Sequence, residues 1–291
     1  MDFRSPTIKD ICTFMLYLFS EKNLCPSTIE GYRTAIADRL GDLGPQIRNN
    51  QDIARLIASF HRDKPKNTRS LPKWNLSVVL DQLTQPPFEP LEQVTTKFLN
   101  WKTVFLMTLA SGKRRREIYA WMLSGVLKLG DWDQVQLSPS PSFIAKNQLA
   151  REGPLAIAPV VIPALKSSPA TPDSEKLLCP VRALSIYLAR TAEVRADQQL
   201  LFVSFKKGFS KDIQASTISS WIKQLIQFCY SKVEEVDVDS LGIKAHDVRA
   251  FAASTAFYGG VSMDQIMRVC YWKAQNTFNH FFLKNMAGQD Q

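Results

Sequence analysis

The chain has 291 residues, of which 36 are Lys or Arg and 27 are Asp or Glu, a formal net charge of +9. Its 45% hydrophobic and 22% charged residues describe a folded globular protein and exclude a disordered, collagen-like or low-complexity chain. Only 12 residues are glycine, which argues against a glycine-rich nucleotide-binding fold, and no apolar run approaches the roughly 18 residues of a membrane helix. Ile11 to Phe19 has the length of a signal-peptide core, but Lys9 and Asp10 adjoin it and no small-residue cleavage site follows. The cysteines (Cys12, Cys25, Cys179, Cys229, Cys270) are scattered and form no C-x-x-C. A reduced intracellular protein without disulfides or structural zinc is expected. The histidines show no metal-ligand spacing, so no metal is expected. The positive balance predicts an anionic partner, and the placement of the charge must say which.

Three regions follow in chain order: a helical module over 1–61, a basic linker over 62–73 and a larger mixed domain over 74–291. In the first, Ser5-Pro6 suits a helix start, and Ile8, Ile11, Met15 and Leu18 mark one helical face. Ser27-Thr28-Ile29-Glu30 reads as a capping box, followed by Ile29, Tyr32, Ile36 and Leu40, with Arg33 and Arg39 off the stripe. Gly41 and Gly44-Pro45 end that helix, and Ile53, Leu56, Ile57 and Phe60 make a third. The linker carries Arg62, Lys64, Lys66, Arg69 and Lys73 against one acid, Asp63. It suits a solvated loop and a strap across phosphates equally.

In the third region, Val78 to Leu83 predicts a short helix and Thr96 to Ala110 a buried central one. Ser111-Gly112 breaks it, and a helix resumes over Arg115 to Leu123. Three strands of a small antiparallel sheet are expected around Val135 and Leu137, at Phe143-Ile144-Ala145, and over Ile157 to Ile162. Further helices start at Pro180 and near Ser216, and span 246–258 and 262–270. The first of this last pair ends at Gly259-Gly260, with Val248, Ala252, Thr255 and Ala256 facing the core. The second opens with the capping box Ser262 to Gln265. The fold class is mainly α with a small antiparallel β-sheet.

Four features could carry chemistry. Lys113, Arg114, Arg115 and Arg116 follow one another where a new helix begins. Free N–H groups there add positive potential for a phosphate, although a solvated basic turn would look the same. His246 and Arg249, three apart, would share a helix face, aiming an imidazole and a guanidinium fork at one spot. An ordinary surface pair has the same spacing. Trp272 and the run Asn276 to Leu283 would also suit core packing. Lys146 follows an apolar strand, where a solvated turn lysine is equally at home.

Their order resembles the tyrosine recombinase (phage-integrase-like) family, whose pattern is Arg, Lys, His-x-x-Arg, His or Trp, and a Tyr nucleophile. The resemblance spans roughly residues 5–285. It is nearest to the recombinases of DIRS and Ngaro-like retrotransposons, which Ser27 to Arg33, Pro87 to Leu91, Ser111 to Ile118 and Trp272 to Leu283 resemble. It implies a helical core-binding domain and a mixed α/β catalytic domain that clamp double-stranded DNA. Assembly as a homo-oligomer, a tetramer on two DNA sites, and a nuclear location are implied too, with no cofactor and no membrane. Arg114 and Arg249 would bind phosphate oxygens, with Glu117 accompanying Arg114. His246 would handle protons, Lys146 would protonate the leaving 5′ oxygen, and Trp272 would donate its indole N–H. Lys113, Arg115, Arg33, Arg62, Lys64, Lys66, Arg69 and Lys73 would contact DNA.

One position departs from the family. Phe282 stands where the nucleophilic tyrosine belongs, and its ring has no oxygen to attack phosphorus. Tyr271, Tyr258 and Tyr230 do not match the motif. Three readings follow. The tyrosine has been exchanged for Phe282 as an engineered trap that binds without cutting, the chain is a naturally inactive DNA-binding relative, or it is a type IB topoisomerase-like relaxer.

Overall fold

The computed structural model describes residues 6–65, 72–145, 158–165, 176–195, 197–206, 209–211, 213–233 and 236–270. The chain divides into two compact units, Met1–Ser70 and Leu71–Gln291.

Among the described residues the first unit has four α-helices: α1 (Ile8–Ser20), α2 (Pro26–Arg39), α3 (Gly44–Asn49) and α4 (Gln51–Asp63). Ile11, Met15, Leu18, Ile29, Ala37, Ile47, Ile53, Ile57 and Phe60 form its core. The cap of α1 is Thr7 rather than Ser5, because Thr7 and Asp10 satisfy each other's backbone N–H groups. The expected Ser27–Glu30 box does not form. Pro26, with its pre-set φ, starts α2 two residues before the Thr28 start that a Ser27 cap would give, behind Cys25. Gly44-Pro45 opens α3 instead of serving only as a break. A side chain at Gly44 would meet the Ala37 carbonyl oxygen at 2.4 Å, so glycine permits the close packing of α3 on α2.

The second unit is built on α6 (Thr96–Ser111), preceded by α5 (Leu76–Leu83). Leu99, Trp101, Val104, Phe105, Leu106 and Met107 of α6 are buried, each large apolar side chain contributing about 1.5–3 kcal/mol. Then come α7 (Arg115–Tyr119) and an antiparallel sheet of β1 (Trp121–Leu129), β2 (Gln134–Pro139) and β3 (Val160–Pro163), in the order β1-β2-β3. Val135 pairs with Ile162 and Leu137 with Val160, and these four form the buried face. Around the sheet and α6 lie α8 (Pro180–Thr191), a β4–β5 hairpin (Ser204–Lys206, Phe209–Lys211), α9 (Ala215–Tyr230), α10 (Asp247–Tyr258) and α11 (Met263–Val269). The fold is mainly α with a small three-stranded antiparallel sheet, as expected, and the β4–β5 hairpin forms a second pair.

Several local expectations need correction. Trp121 to Leu123 are strand, not helix, and α7 ends at Tyr119. Leu201 donates its N–H to the Trp121 carbonyl and Leu123 donates to Gln199, both at 2.8 Å, so pairing with a distant segment overrides local helical preference. Phe143–Ala145 is not a strand. The chain turns there, Phe143 N–H donating to Ser140 at 2.9 Å, and the third strand is β1. α9 does begin near Ser216, at Ala215, with Gln214 as its cap. On α10, Val248, Phe251 and Ala253 are buried whereas Thr255 is exposed. The α11 box is present as read, with Ser262 Oγ accepting from Gln265 N–H.

Candidate phosphate-binding site

The site lies where α6, α7, α10 and α11 end or begin. Gly112 caps α6 at φ 58°, a left-handed conformation that costs glycine little. The chain then reverses through Lys113 and Arg114 into the short helix α7. Glu117, in the first turn of α7, accepts from the Arg114 N–H at 3.1 Å and from Arg114 Nη1 at 2.9 Å. One of the N–H groups at this helix start, that of Arg114, is therefore already held by a carboxylate.

Arg249 reaches the same carboxylate from α10, with Nη1 3.8 Å from Glu117 Oε2. It is 3% exposed, and its Nη2 donates to the Cys270 carbonyl just past α11. Burial, the largest influence, pulls Arg249 below the ordinary arginine range. Arg114 keeps 24% of its side chain exposed. With one nitrogen anchored, its remaining donors suit two oxygens of a phosphate. Two arginines far apart in sequence thus share one buried acid.

Lys113 differs from its expected role. It is 6% exposed, and its ammonium donates to the Val269 carbonyl at 2.8 Å. Burial lowers its pKa to about 8. It points into the protein, not toward a ligand outside. Arg115 is exposed, its Nη1 3.3 Å from Ser219 Oγ on α9, and Lys73 is exposed as well.

His246 caps α10 rather than lying within it, because the helix begins at Asp247. Its side chain is 53% exposed, with Nε2 3.8 Å from Asp247 Oδ1. In the first unit, Arg62 is exposed in the last turn of α4 and Arg33 is half-buried on α2. Lys64 hydrogen-bonds Asn23 and lies 4.6 Å from the Phe19 ring centre. Lys66, Arg69, Lys146, Trp272 and Phe282 lie outside the described residues.

Sequence reasoning missed Val269 and Cys270. Their carbonyls act, not their side chains, and no residue pattern announces a backbone acceptor. The Cys270 side chain is buried as well, and burial raises its thiol pKa. A side chain at Gly112 would stand 3.3 Å from its sulfur.

No helix among the described residues is long and apolar enough to cross a membrane. No family model and no curated sequence matches the chain. Solved structures do. The chain is similar to lambda integrase residues 75–356, solved as a dimer bound to a COC′ core site. Identity is 12%, coverage is 98% of this chain and 82% of that one, and the TM-score is 0.52. XerA recombinase matches at 15% identity, over 97% of this chain and 86% of that one, with a TM-score of 0.48. XerH recombinase bound to its difH substrate matches at 11% identity, over 96% and 75%, again with a TM-score of 0.48. These neighbours are tyrosine recombinases, and the likeness to the integrase fragment is one of fold.

Proposed function

We propose that the chain is a DNA-binding protein of the tyrosine-recombinase type that grips a backbone phosphate but does not cut. The observation that carries this reading is the gathering of Arg114 and Arg249 on Glu117. One carboxylate stands among three cations, counting Lys113, so an anion would complete the charge balance. Arg114, exposed in part, makes the first contact, and Arg249 follows as the Cys270 carbonyl releases its Nη2. Arg115, Arg33, Arg62, Lys64, Lys66, Arg69 and Lys73 supply further contacts to duplex DNA. Lys113 is left out of that set. The integrase fragment sits on its core site as a dimer, which supports action by more than one copy here. A tetramer on two DNA sites, an origin in DIRS or Ngaro-like elements and a nuclear location complete the reading.

The parent reaction would proceed in one displacement. A tyrosine oxygen at position 282 attacks phosphorus, and the bond from phosphorus to the 5′ oxygen breaks. His246 takes the tyrosine proton, Lys146 gives a proton to the 5′ oxygen, and Arg114, Arg249 and Trp272 hold the phosphate oxygens as charge develops. Phe282 removes the attacking atom and leaves the grip.

The test is Phe282→Tyr on a library of nicked duplexes. The unmodified chain should bind DNA with an affinity that falls steeply between about 50 and 200 mM salt, and should form no covalent adduct. The revertant should form an adduct that survives denaturing electrophoresis and disappears with protease. That outcome supports an exchanged tyrosine in an intact site. A revertant that binds but stays inert points to a naturally inactive relative. Salt-independent binding, or none, removes the DNA reading altogether.

A further inference from the structure

We infer that Lys113 is a positioning residue that fastens the C-terminal end of α11 to the loop carrying Arg114, so that the chain sets out toward Trp272 from a fixed point beside both arginines. Its consequence for DNA cleavage rests on the function proposed above; the fastening itself does not.

Two successive carbonyls at the end of α11 receive cations. Val269 accepts from Lys113 Nζ at 2.8 Å, and Cys270 accepts from Arg249 Nη2. The last carbonyls of a helix have no intrahelical partner and sit at the negative end of its dipole. A lysine and an arginine from two other segments therefore complete this helix end. Cys270 adds a close seat, its sulfur 3.9 Å from the Gly112 carbonyl oxygen. The hold on Val269 thus comes from the residue beside Arg114, and the hold on Cys270 from Arg249.

Among the described residues, the charged and titratable groups around Lys113 include Glu117 and Arg114 at the start of α7, Arg249 on α10, and Cys270 after α11. Toward the sheet it borders a small apolar cavity walled by Trp121, Leu137 and Val160. A lysine is an unfavourable filler for such a place on packing grounds. Methionine has similar length and no charge to desolvate.

This separates positioning from plain structural support. The Lys113 pKa, about 8, lies below the ordinary lysine value of 10.5. Between those values the unfolded chain binds more protons than the folded one, so the contribution of Lys113 to global stability rises with pH from about 8 upward. The fastening behaves oppositely. It is strongest while Lys113 is charged and weakens as pH climbs through about 8.

Hydrogen exchange on the full chain tests this, with rates corrected for their intrinsic pH dependence. In the unmodified protein, protection of residues 263–270 should fall roughly ten-fold from pH 7 to 9, the scale of one charge-assisted hydrogen bond, while residues 96–111 stay protected. Lys113→Met should show the reduced protection already at pH 7, with no further change at pH 9. Lys113→Arg should keep protection at both. Unchanged protection of 263–270 in Lys113→Met at pH 7 overturns the inference. If that variant does not fold, flat protection in the unmodified chain across pH 7 to 9 overturns it equally. On the Phe282→Tyr background, Lys113→Met should slow adduct formation without weakening DNA binding. Absence of any adduct in Phe282→Tyr alone would count against the proposed function and leave the exchange result to judge Lys113.

Discussion

Two buried carboxylates in the second unit invite comparison. Glu89 and Glu117 are both shielded and both flanked by cations, yet their surroundings close differently. Glu89 Oε1 accepts from Lys102 and from Arg182 at 2.8 Å, while Oε2 accepts from the Leu91 N–H at 2.8 Å and from Arg182 at 3.1 Å. Lys102 also donates to the Leu83 carbonyl, and Arg182 also reaches Glu92. Two acids meet two bases, and every charge has a counterpart. Glu117 stands against Lys113, Arg114 and Arg249, with Arg249 Nη1 at 3.8 Å, beyond hydrogen-bond reach. The first cluster is saturated and ties α6 and α8 to the loop between α5 and α6. The second carries surplus positive charge beside partly exposed Arg114. A saturated cluster holds a fold together, whereas one with surplus positive charge suits an anion, as proposed above.

The sharpest way to break this contrast is Glu89→Ala. Lys102, without solvent exposure, would keep a charge with no carboxylate partner, and breaking a buried pair in this way typically costs about 3–5 kcal/mol. Chemical denaturation should show that loss. Acid titration should give the matching sign. Burial alone would raise the Glu89 carboxyl, but hydrogen bonds from Arg182 and Lys102 outweigh it and hold it below the ordinary value of 4.5. Its contribution is therefore full above that value and is lost as pH falls below it. Glu89→Gln should flatten this part of the acid unfolding curve. An unchanged curve would mean that Glu89 is not the anchor described.

The second cluster should respond through rate instead. On the Phe282→Tyr background, Arg114→Ala should slow adduct formation by about 10²–10³, the usual effect of losing one donor to a transition-state oxygen. DNA affinity should change little, since one phosphate contact among many is lost. If Arg114→Ala lowered stability as much as Glu89→Ala, the two clusters would be alike and the contrast would collapse.

How much of this was legible in the sequence follows from the range of the interactions. The α1 stripe, the buried run of α6 and the α11 capping box depend on neighbours within a turn or two, and each was readable. β1 was not, because its first residues pair with 199–201, and local pattern around Arg115 to Leu123 favours helix. The run Lys113 to Arg116 announced positive charge correctly but not its direction. Lys113 turns inward because Gly112 reverses the chain there, and the acceptor it finds is a carbonyl. The Glu89 cluster was invisible for a similar reason: its members come from three separate segments and acquire meaning only when packed.

The smallest expected effect concerns Gly112, the hinge on which the second cluster turns. At φ 58° an alanine is strained by about 1–2 kcal/mol. Its methyl group would also stand 3.3 Å from the Cys270 sulfur, a contact that closes only if one of them yields. Global stability should therefore fall modestly, well short of the Glu89→Ala loss. The local consequence should exceed the global one, because Cys270 is also the residue whose carbonyl receives Arg249. Gly112→Ala should lower hydrogen-exchange protection at 263–270 while leaving α5 and α8 unchanged. Cys270→Ala separates strain from crowding, whereas the mirror-image residue relieves both. Gly112 replaced by D-alanine, introduced by ligation, keeps the left-handed backbone at ease but places the methyl group elsewhere. Under either cause, D-alanine should restore protection that L-alanine removes. Only if crowding against Cys270 is the cause should Cys270→Ala restore it in the L-alanine protein. Should neither restore it, the link between the Gly112 turn and the end of α11 would not be the packing described, and the seat of Arg249 would have to be explained by α10 alone.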